Sequence, residues 1–100
     1  MQFDATVGSE IQKTRPAVIV SNNVSNRYMP RVLVVPLTSN TGRIYPSEAL
    51  VTVSGTQSKA MADQIATADK GRLKKILGKL SAQDMQAVDR AMRIQLGIPL

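Results

Sequence analysis

The order of the apolar segments constrains the fold of this chain more than any other feature. Residues 16–20 (PAVIV) and 32–37 (VLVVPL) are short runs rich in β-branched residues, which is typical of buried strands. The clearest helical pattern comes only at the end of the chain, at residues 81–97. Strands first and one amphipathic helix last predict a small, mostly antiparallel barrel or curled sheet that a helix plugs or flanks.

The final helix has start and stop signals at both ends. Ser81 is a good N-cap residue with Asp84 three positions later, and Gly97 followed by Pro99 ends the pattern. Apolar side chains recur on one face at spacings of three and four, namely Met85, Val88, Met92 and Leu96. Such a stripe is typical of a core-facing helix, although it also fits a groove for a partner.

The segments between these elements are less distinct. Residues 49–53 (ALVTV) predict a strand that a turn at Gly55 ends, and residues 21–30 and 38–46 have the composition of polar loops. Residues 61–66 (MADQIA) fit a helix or a strand, and we predict a strand. Residues 73–80 fit a basic strand or a broken helix, and Asp69 is a candidate cap for one helical turn before them.

Composition limits the possible chemistry. One hundred residues are enough for a single domain, and 13 Lys plus Arg against 7 Asp plus Glu give a net charge of +6, which favours a polyanionic partner. Histidine and cysteine are absent, which excludes disulfides, imidazole or thiolate metal sites and imidazole acid–base catalysis. Aromatic residues make up only 3%, so a platform of several stacked aromatics is excluded as well.

Nothing in the sequence predicts a membrane or export route. The chain has no run of about 20 apolar residues, and its first residues (MQFDATVGSE) lack the basic start and apolar stretch of a signal peptide. We therefore expect a soluble, cytoplasmic protein without a membrane partner.

Charged and hydroxyl residues concentrate just before the first apolar run. Within residues 8–16 (GSEIQKTRP), Pro16 favours an extended backbone at Arg15, so that its guanidinium projects from a strand entrance. The planar fork of an arginine suits bidentate binding of phosphate. Thr38 and Ser39 stand where the second run ends, another position that presents polar side chains. From composition alone, all of these residues also fit solvated turns.

Five blocks of the sequence together resemble a known family. They are GSEIQKTRPAVIVSN, RVLVVPLTSN, YPSE, the ADQI of residues 62–65 and GKLS before the last helix, and in this order and spacing they resemble the MazF/PemK family of toxin ribonucleases. The resemblance covers nearly the whole chain from Asp4 onward. The Arg-Pro block and the Pro-Leu-Thr-Ser block in series are its most specific part.

The resemblance implies an SH3-like barrel with helices, assembled as a homodimer. It implies cleavage of single-stranded RNA at short sequence motifs, without a metal or other cofactor, and neutralisation by a cognate antitoxin protein. In such enzymes the ribose 2′-hydroxyl attacks the neighbouring phosphate and leaves a 2′,3′-cyclic phosphate. Two other functions stay open: a non-catalytic toxin that binds DNA gyrase, which the absence of tryptophan disfavours, and an inactive RNA-binding remnant.

By position, Arg15 matches the family's catalytic arginine and Thr38 its catalytic hydroxyl residue. Glu10 matches an acidic loop residue and is our candidate for accepting the 2′ proton, although a surface carboxylate that orients Lys13 or Arg15 fits equally. An arginine cannot be the resting base because it stays protonated at neutral pH. The remaining candidate RNA-binding residues are Ser9, Gln12, Lys13, Thr14, Ser39, Asn40, Asp63 and Gln64.

The chain departs from the family in two places. Members that use the acidic residue of the ADQ block pair it with an arginine where this chain has Met61, so we interpret Asp63 as structural or substrate-contacting. Members also have a longer start, so residues 1–4 resemble only the end of their first strand; we expect an unpaired sheet edge there, unless the start given is late or dimer contacts compensate. A basic set fits an RNA-backbone track or a solvated face; it consists of Lys70, Arg72, Lys74, Lys75 and Lys79.

Overall fold

The computed structural model of the chain describes residues 6–10 and 15–100, with the backbone alone for residues 6–10, 74 and 75. Seven strands lie in this part of the chain. They are β1 (Thr6–Glu10), β2 (Pro16–Ile19), β3 (Arg31–Thr38), β4 (Glu48–Val53), β5 (Thr56–Met61), β6 (Ala66–Asp69) and β7 (Leu73–Lys79). The two α-helices are α1 (Asn23–Tyr28) and α2 (Ala82–Leu96), and short 3₁₀ turns occupy Ala62–Gln64 and Lys70–Arg72.

All strand pairs that the structure describes are antiparallel, in the order β4-β5-β3-β2-β1-β7, and β6 pairs with β3 outside this path. β3 therefore pairs with β2, β5 and β6. The ends of the sheet approach each other, because the Ser54 hydroxyl donates to the Leu77 carbonyl (3.5 Å). A mostly antiparallel, barrel-like sheet with a C-terminal helix confirms the predicted fold class. None of the described helices is long and apolar enough to cross a membrane.

The main core lies between α2 and one face of the sheet. Its largest fully buried side chains are valines, Val18, Val35, Val51 and Val88, as expected of a chain so poor in aromatics. The predicted stripe of α2 belongs to this core through Met85, Val88 and Met92. Leu96, on the last turn, stays 56% exposed and lies outside it. The stripe is thus mainly core, which stabilises the fold through burial of apolar area.

Both predicted signals of α2 are present. The Ser81 hydroxyl accepts the Asp84 N–H (3.0 Å), and Gly97 closes the helix in the left-handed region at φ 70°. The Asp84 carboxylate itself accepts the N–H of Thr52 (2.8 Å), and so ties the first turn of the helix to β4. Helix and sheet are therefore joined by a hydrogen bond as well as by the core.

The sequence-based prediction was wrong for residues 61–66. This segment is not one strand: Met61 ends β5, a 3₁₀ turn occupies Ala62–Gln64, and β6 begins at Ala66. The strand β5 (TQSKAM) was missed because its residues are mostly polar and only Ser58 and Ala60 are buried. Its place in the sheet depends on hydrogen bonds to β3 and β4 on its two sides.

Three further local predictions have mixed outcomes. Residues 21–30 are not only loop, because α1 forms there once the Asn22 side chain accepts the Ser25 N–H (2.9 Å). Residues 73–79 form the basic strand rather than a broken helix. The helical turn after Asp69 is present, although no side-chain cap hydrogen bond is made there.

The first strand differs from the sequence-based expectation. Residues 1–5 lie outside the described part of the chain, but β1 forms at Thr6–Glu10 and pairs with β2 on one side and β7 on the other. The predicted unpaired edge at this position is therefore wrong. The pairing with β7 contains register shifts, after Val7 and after Ser9.

Candidate functional site

The candidate site is built where the neighbouring strands β1, β2 and β3 lie side by side. β2 and β3 pair with Ala17 opposite Pro36, so the same register continued by two residues brings Arg15 opposite Thr38. β1 and β2 pair with Ser9 opposite Pro16, so one further step brings the backbone of Glu10 beside Arg15. Facing residues of antiparallel strands lie about 5 Å apart. The continued registers thus bring three candidates from distant parts of the sequence to one region, and Arg15 and Thr38 line the same cavity there.

Two adjoining cavities open in this region, and together we call them the groove. The larger has a volume of about 520 Å³ and the smaller about 190 Å³. Arg15, Pro16 and Gln64 line both, and so join them. The larger is also lined by Leu37, Thr38, Ser39, Ser58 and Met61, and the smaller by Ala17, Val34, Pro36 and Ala66.

Arg15 is exposed in the groove. None of the carboxylates whose side chains the structure describes forms an ion pair with it, since those ion pairs join Lys59 to Glu48 and Arg93 to Asp89. Its five N–H donors therefore face solvent in this part of the molecule, where a bound anion would meet them.

The Thr38 hydroxyl is held by the start of the following loop. Its oxygen accepts the Asn40 N–H (3.3 Å), and the Asn40 side chain in turn accepts the N–H of Gly42 (3.4 Å). A hydroxyl that accepts a hydrogen bond still has its own proton to donate. Thr38 can therefore donate to an oxygen of a ligand beside Arg15.

Beside Thr38 in the sheet lies Lys59, its register partner on β5. The Lys59 ammonium forms an ion pair with Glu48 (3.2 Å) and donates to the Arg43 carbonyl (3.0 Å). Both side chains of the ion pair are largely buried, with 11% and 9% of their surface exposed. This pair fastens the loop of residues 39–47 to the sheet immediately next to Thr38.

The predicted site residues differ in their placement. Ser39 and Gln64 line the groove, and Gln64 donates to the Met61 sulfur (3.5 Å). Asn40 lies beside the groove on the loop that follows Thr38, whereas Asp63 is exposed and outside the lining of both cavities. For Ser9 and Glu10 the structure gives backbone positions alone, and the predictions for Gln12, Lys13 and Thr14 fall outside the described residues.

Sequence reasoning missed several residues of the site. Ser58, Met61 and Lys59 come from the unpredicted strand β5 and its end, and only its pairing with β3 brings them to Thr38. Of the basic set, Lys70 donates its ammonium to the Asn26 carbonyl and Lys79 is exposed on β7. That set therefore includes at least one lysine with a structural role.

The arrangement suits an anionic ligand. A guanidinium and a hydroxyl on facing positions supply fixed donors for the non-bridging oxygens of a phosphate, where negative charge grows during phosphoryl transfer. In the described part of the chain, no three side chains of His, Cys, Asp or Glu come together as metal ligands would. Fold and groove define a small basic β-protein whose groove presents hydrogen-bond donors suited to an anionic ligand.

The chain belongs to the PemK-like, MazF-like toxins of type II toxin–antitoxin systems, because the model of that family matches residues 1–96. A curated relative, Endoribonuclease MazF9 of Mycobacterium tuberculosis, is 36% identical over 107 residues, which cover 98% of this chain and 91% of the relative. Family membership is thus supported by sequence along almost the entire chain.

Solved structures agree with this assignment. An endoribonuclease from a Mycobacterial species, in complex with its cognate antitoxin, superposes with a TM-score of 0.87 at 29% identity and covers 100% of this chain and 99% of that one. A MazE–MazF crystal structure from Deinococcus radiodurans has a TM-score of 0.81 at 21% identity, with 98% of both chains covered. The second likeness concerns the fold alone.

Proposed function

We propose that this protein is an endoribonuclease toxin that cleaves single-stranded RNA in the groove, without a metal ion. The observation that carries the proposal is that Arg15 and Thr38 line the same open groove with Arg15 exposed, while Ser9, the residue before Glu10, pairs with Pro16. The name of the relative Endoribonuclease MazF9 supports the same activity. The absence of His and Cys leaves arginine, hydroxyl and carboxylate groups to perform it.

In the proposed reaction the ribose 2′-oxygen forms a bond to the adjacent phosphorus, and the bond from phosphorus to the 5′-oxygen breaks. Glu10 accepts the 2′ proton. Arg15 and Thr38 donate hydrogen bonds to the phosphate oxygens, and Arg15 serves the leaving oxygen as proton donor. The products are a 2′,3′-cyclic phosphate and a 5′-hydroxyl. Each fixed donor of this kind stabilises the transition state by on the order of 3 kcal/mol.

The proposed activity includes preference for a short sequence motif and control by a cognate antitoxin. Ser39, Asn40 and Gln64 lie in or beside the groove with polar side chains that can read base edges of unpaired nucleotides. The complex of a Mycobacterial endoribonuclease with its antitoxin supports the second part. A net charge of +6 favours an acidic inhibitor of the groove.

We also propose a homodimer, and a separate apolar depression supports it. This depression has a volume of about 480 Å³ and lies between β3, α1 and the end of α2. Leu33, Leu96 and Ile98 line it while exposing much of their apolar surface to water. A second copy of the chain would bury this area. Leu96→Asp is expected to convert the dimer to a monomer in light-scattering chromatography, and a dimer that persists would remove this support.

The cleavage test uses a long mixed-sequence RNA in the presence of EDTA. Wild-type protein is expected to cut it at a recurring motif, and Arg15→Ala to slow cleavage about 100- to 1,000-fold. Arg31→Ala is the matched control, because Arg31 is an exposed arginine at the opposite end of β3. A 2′-deoxy substitution at the scissile nucleotide should abolish cleavage and leave binding. Intact RNA with the wild-type protein would refute the proposal.

The same preparation separates the two other functions. A gyrase-directed toxin would inhibit DNA supercoiling without cutting RNA. An inactive remnant would bind RNA and leave it uncut. Mapping the 5′ ends after cleavage gives the motif directly. Glu10→Gln tests the base: if Glu10 takes the 2′ proton, the variant loses rate at neutral pH while its affinity for the deoxy-substituted RNA is unchanged.

A further inference from the structure

The chain keeps both of its tyrosines at the surface, although it has only three aromatic residues. Tyr45 is 52% exposed on the loop of residues 39–47, and Tyr28 is 76% exposed on α1. The core is filled instead by valine, leucine, alanine and methionine. An aromatic ring left at the surface offers a face on which a planar ligand can stack.

Tyr45 also has a cation over its ring, and none of the described contacts gives Tyr28 one. The Arg43 guanidinium lies over the Tyr45 ring, 5.7 Å from its centroid, and Arg43 donates to the Tyr45 hydroxyl (3.4 Å). A guanidinium held by an aromatic ring is positive and planar, and both members of the pair are exposed. Ring and cation together match the two parts of a nucleotide, its base and its phosphate.

The loop that carries this pair borders the groove at both ends. It begins with Ser39, which lines the larger cavity. It returns to the sheet at Glu48, whose register partner Met61 lines the same cavity, while the Ala62 N–H donates to the Ser47 carbonyl (3.0 Å). Both ends of the loop that carries the Arg43–Tyr45 pair are therefore at the groove, and the Arg43 carbonyl is bound by Lys59, the register partner of Thr38.

The pair is also held in place before any ligand binds. The Tyr45 N–H donates to the Glu48 carboxylate (2.9 Å), and the Glu48 N–H donates to the Tyr45 carbonyl (2.9 Å). The Lys59 ammonium fixes the Arg43 carbonyl from the other side (3.0 Å). A ligand that stacks on a ring fixed in this way loses less free energy to ordering of the loop.

We propose that the Arg43–Tyr45 pair is a nucleotide subsite of the groove, at which an unpaired base of the RNA stacks on the exposed Tyr45 ring and Arg43 contacts the flanking phosphate. The proposal rests on the RNA-cleaving function proposed above and adds a binding residue outside the Arg15–Thr38 centre. Stacking tolerates every base, so this subsite contributes affinity and fixes the position of the strand rather than reading its sequence.

The test measures binding of a fluorescein-labelled RNA of about 15 nucleotides, a length near the upper end of the usual site sizes of single-strand-binding folds. It contains the mapped cleavage motif with a 2′-deoxy nucleotide at the scissile position, or random sequence if the wild type cuts nothing. Tyr45→Ala and Tyr45→Leu are expected to weaken binding about tenfold, because leucine restores bulk but no π-face. Tyr45→Phe should bind like the wild type.

Tyr28→Ala is the matched control. Tyr28 ends α1, which precedes the Arg31 end of β3, whereas Thr38 is at the other end of this strand, and the seven steps from Arg31 to Thr38 span about 23 Å at 3.3 Å per residue. This variant should bind RNA normally. Thermal unfolding of every variant confirms that the fold is retained, and Tyr45→Leu serves if Tyr45→Ala does not fold.

A walk of single abasic nucleotides through the RNA locates the stacked base. At one position, an abasic nucleotide should weaken binding to the wild type about tenfold. The same substitution should not weaken binding to Tyr45→Leu any further, since both changes remove the same contact. Equal affinity of wild type and Tyr45→Leu, or equal abasic costs in both, would overturn the subsite. Failure of the wild type to cleave RNA would instead refute the proposed function. The failure of the subsite and the failure of the function therefore give different results.

Discussion

The two faces of β3 differ in role, because alternate residues of this strand face the main core and the groove. Val35 and Leu37 point into the main core beneath α2 and are buried. Pro36 and Thr38 lie on the face that opens into the groove, opposite Arg15 on the neighbouring strand. One face supplies stability through burial, and the other presents a cation and a hydroxyl whose donors stay available. Residues on the two faces of this strand can thus be changed to affect mainly stability or mainly activity, and Val35 is the core residue that does not line the groove.

The largest expected effect is on the core face. Leu37→Ala removes a buried side chain and leaves a cavity, so we expect the free energy of unfolding to fall by about 3 kcal/mol. Urea denaturation measures the change. A loss below about 1 kcal/mol would mean that this face contributes less to stability than its burial indicates.

On the groove face, Thr38→Val keeps the shape of the side chain and removes the hydroxyl. Cleavage of RNA is expected to slow about 100-fold, with unfolding free energy within about 0.5 kcal/mol of the wild type. Single-turnover kinetics at saturating protein gives the rate. Thr67→Val, on an exposed position of β6, is the matched control and should cleave normally.

An intermediate effect on stability is expected at Lys59, which binds the loop of residues 39–47 to the sheet. Lys59→Met leaves Glu48 largely buried without its cation and frees the Arg43 carbonyl, at a cost of about 2 kcal/mol in unfolding free energy. The loop should also exchange its amide hydrogens faster than in the wild type. Unchanged exchange would show that Lys59 does not hold the loop.

The smallest effect concerns the helix that covers the core face. Ser81→Ala removes the hydroxyl that accepts the Asp84 N–H, so we expect the unfolding free energy to fall by about 1 kcal/mol. Gln83→Ala, an exposed change in the same turn, should stay within about 0.5 kcal/mol of the wild type. Thermal unfolding resolves the two.

The sequence predicts those elements whose own residues suffice to form them. α2 has its caps and its apolar period within one segment, and the valine-rich runs of β2 and β3 are recognisable alone. β5 is not, because its polar residues become a strand only between β3 and β4. α1 is likewise short and buries no residue completely.

The same distinction holds for the candidate site. Arg15, Thr38 and Glu10 were predicted from a family resemblance, and the strand registers, continued beyond the observed pairs, place them in one region of the sheet. The clamp of Glu48 and Lys59 could not be predicted, since it depends on a strand that sequence patterns missed. Strand pairing determines where the donor side chains lie in the groove, and local sequence patterns do not reveal that pairing.

The hydrogen bond from Thr52 to Asp84 has a consequence for how the protein behaves at high concentration. β4 is the last strand at one end of the sheet, and a bare edge there would be a template for strands of other molecules. The Asp84 carboxylate occupies the Thr52 N–H and places a negative charge beside that edge. The first turn of α2 thus protects the protein against edge-to-edge aggregation, in addition to its part in the core.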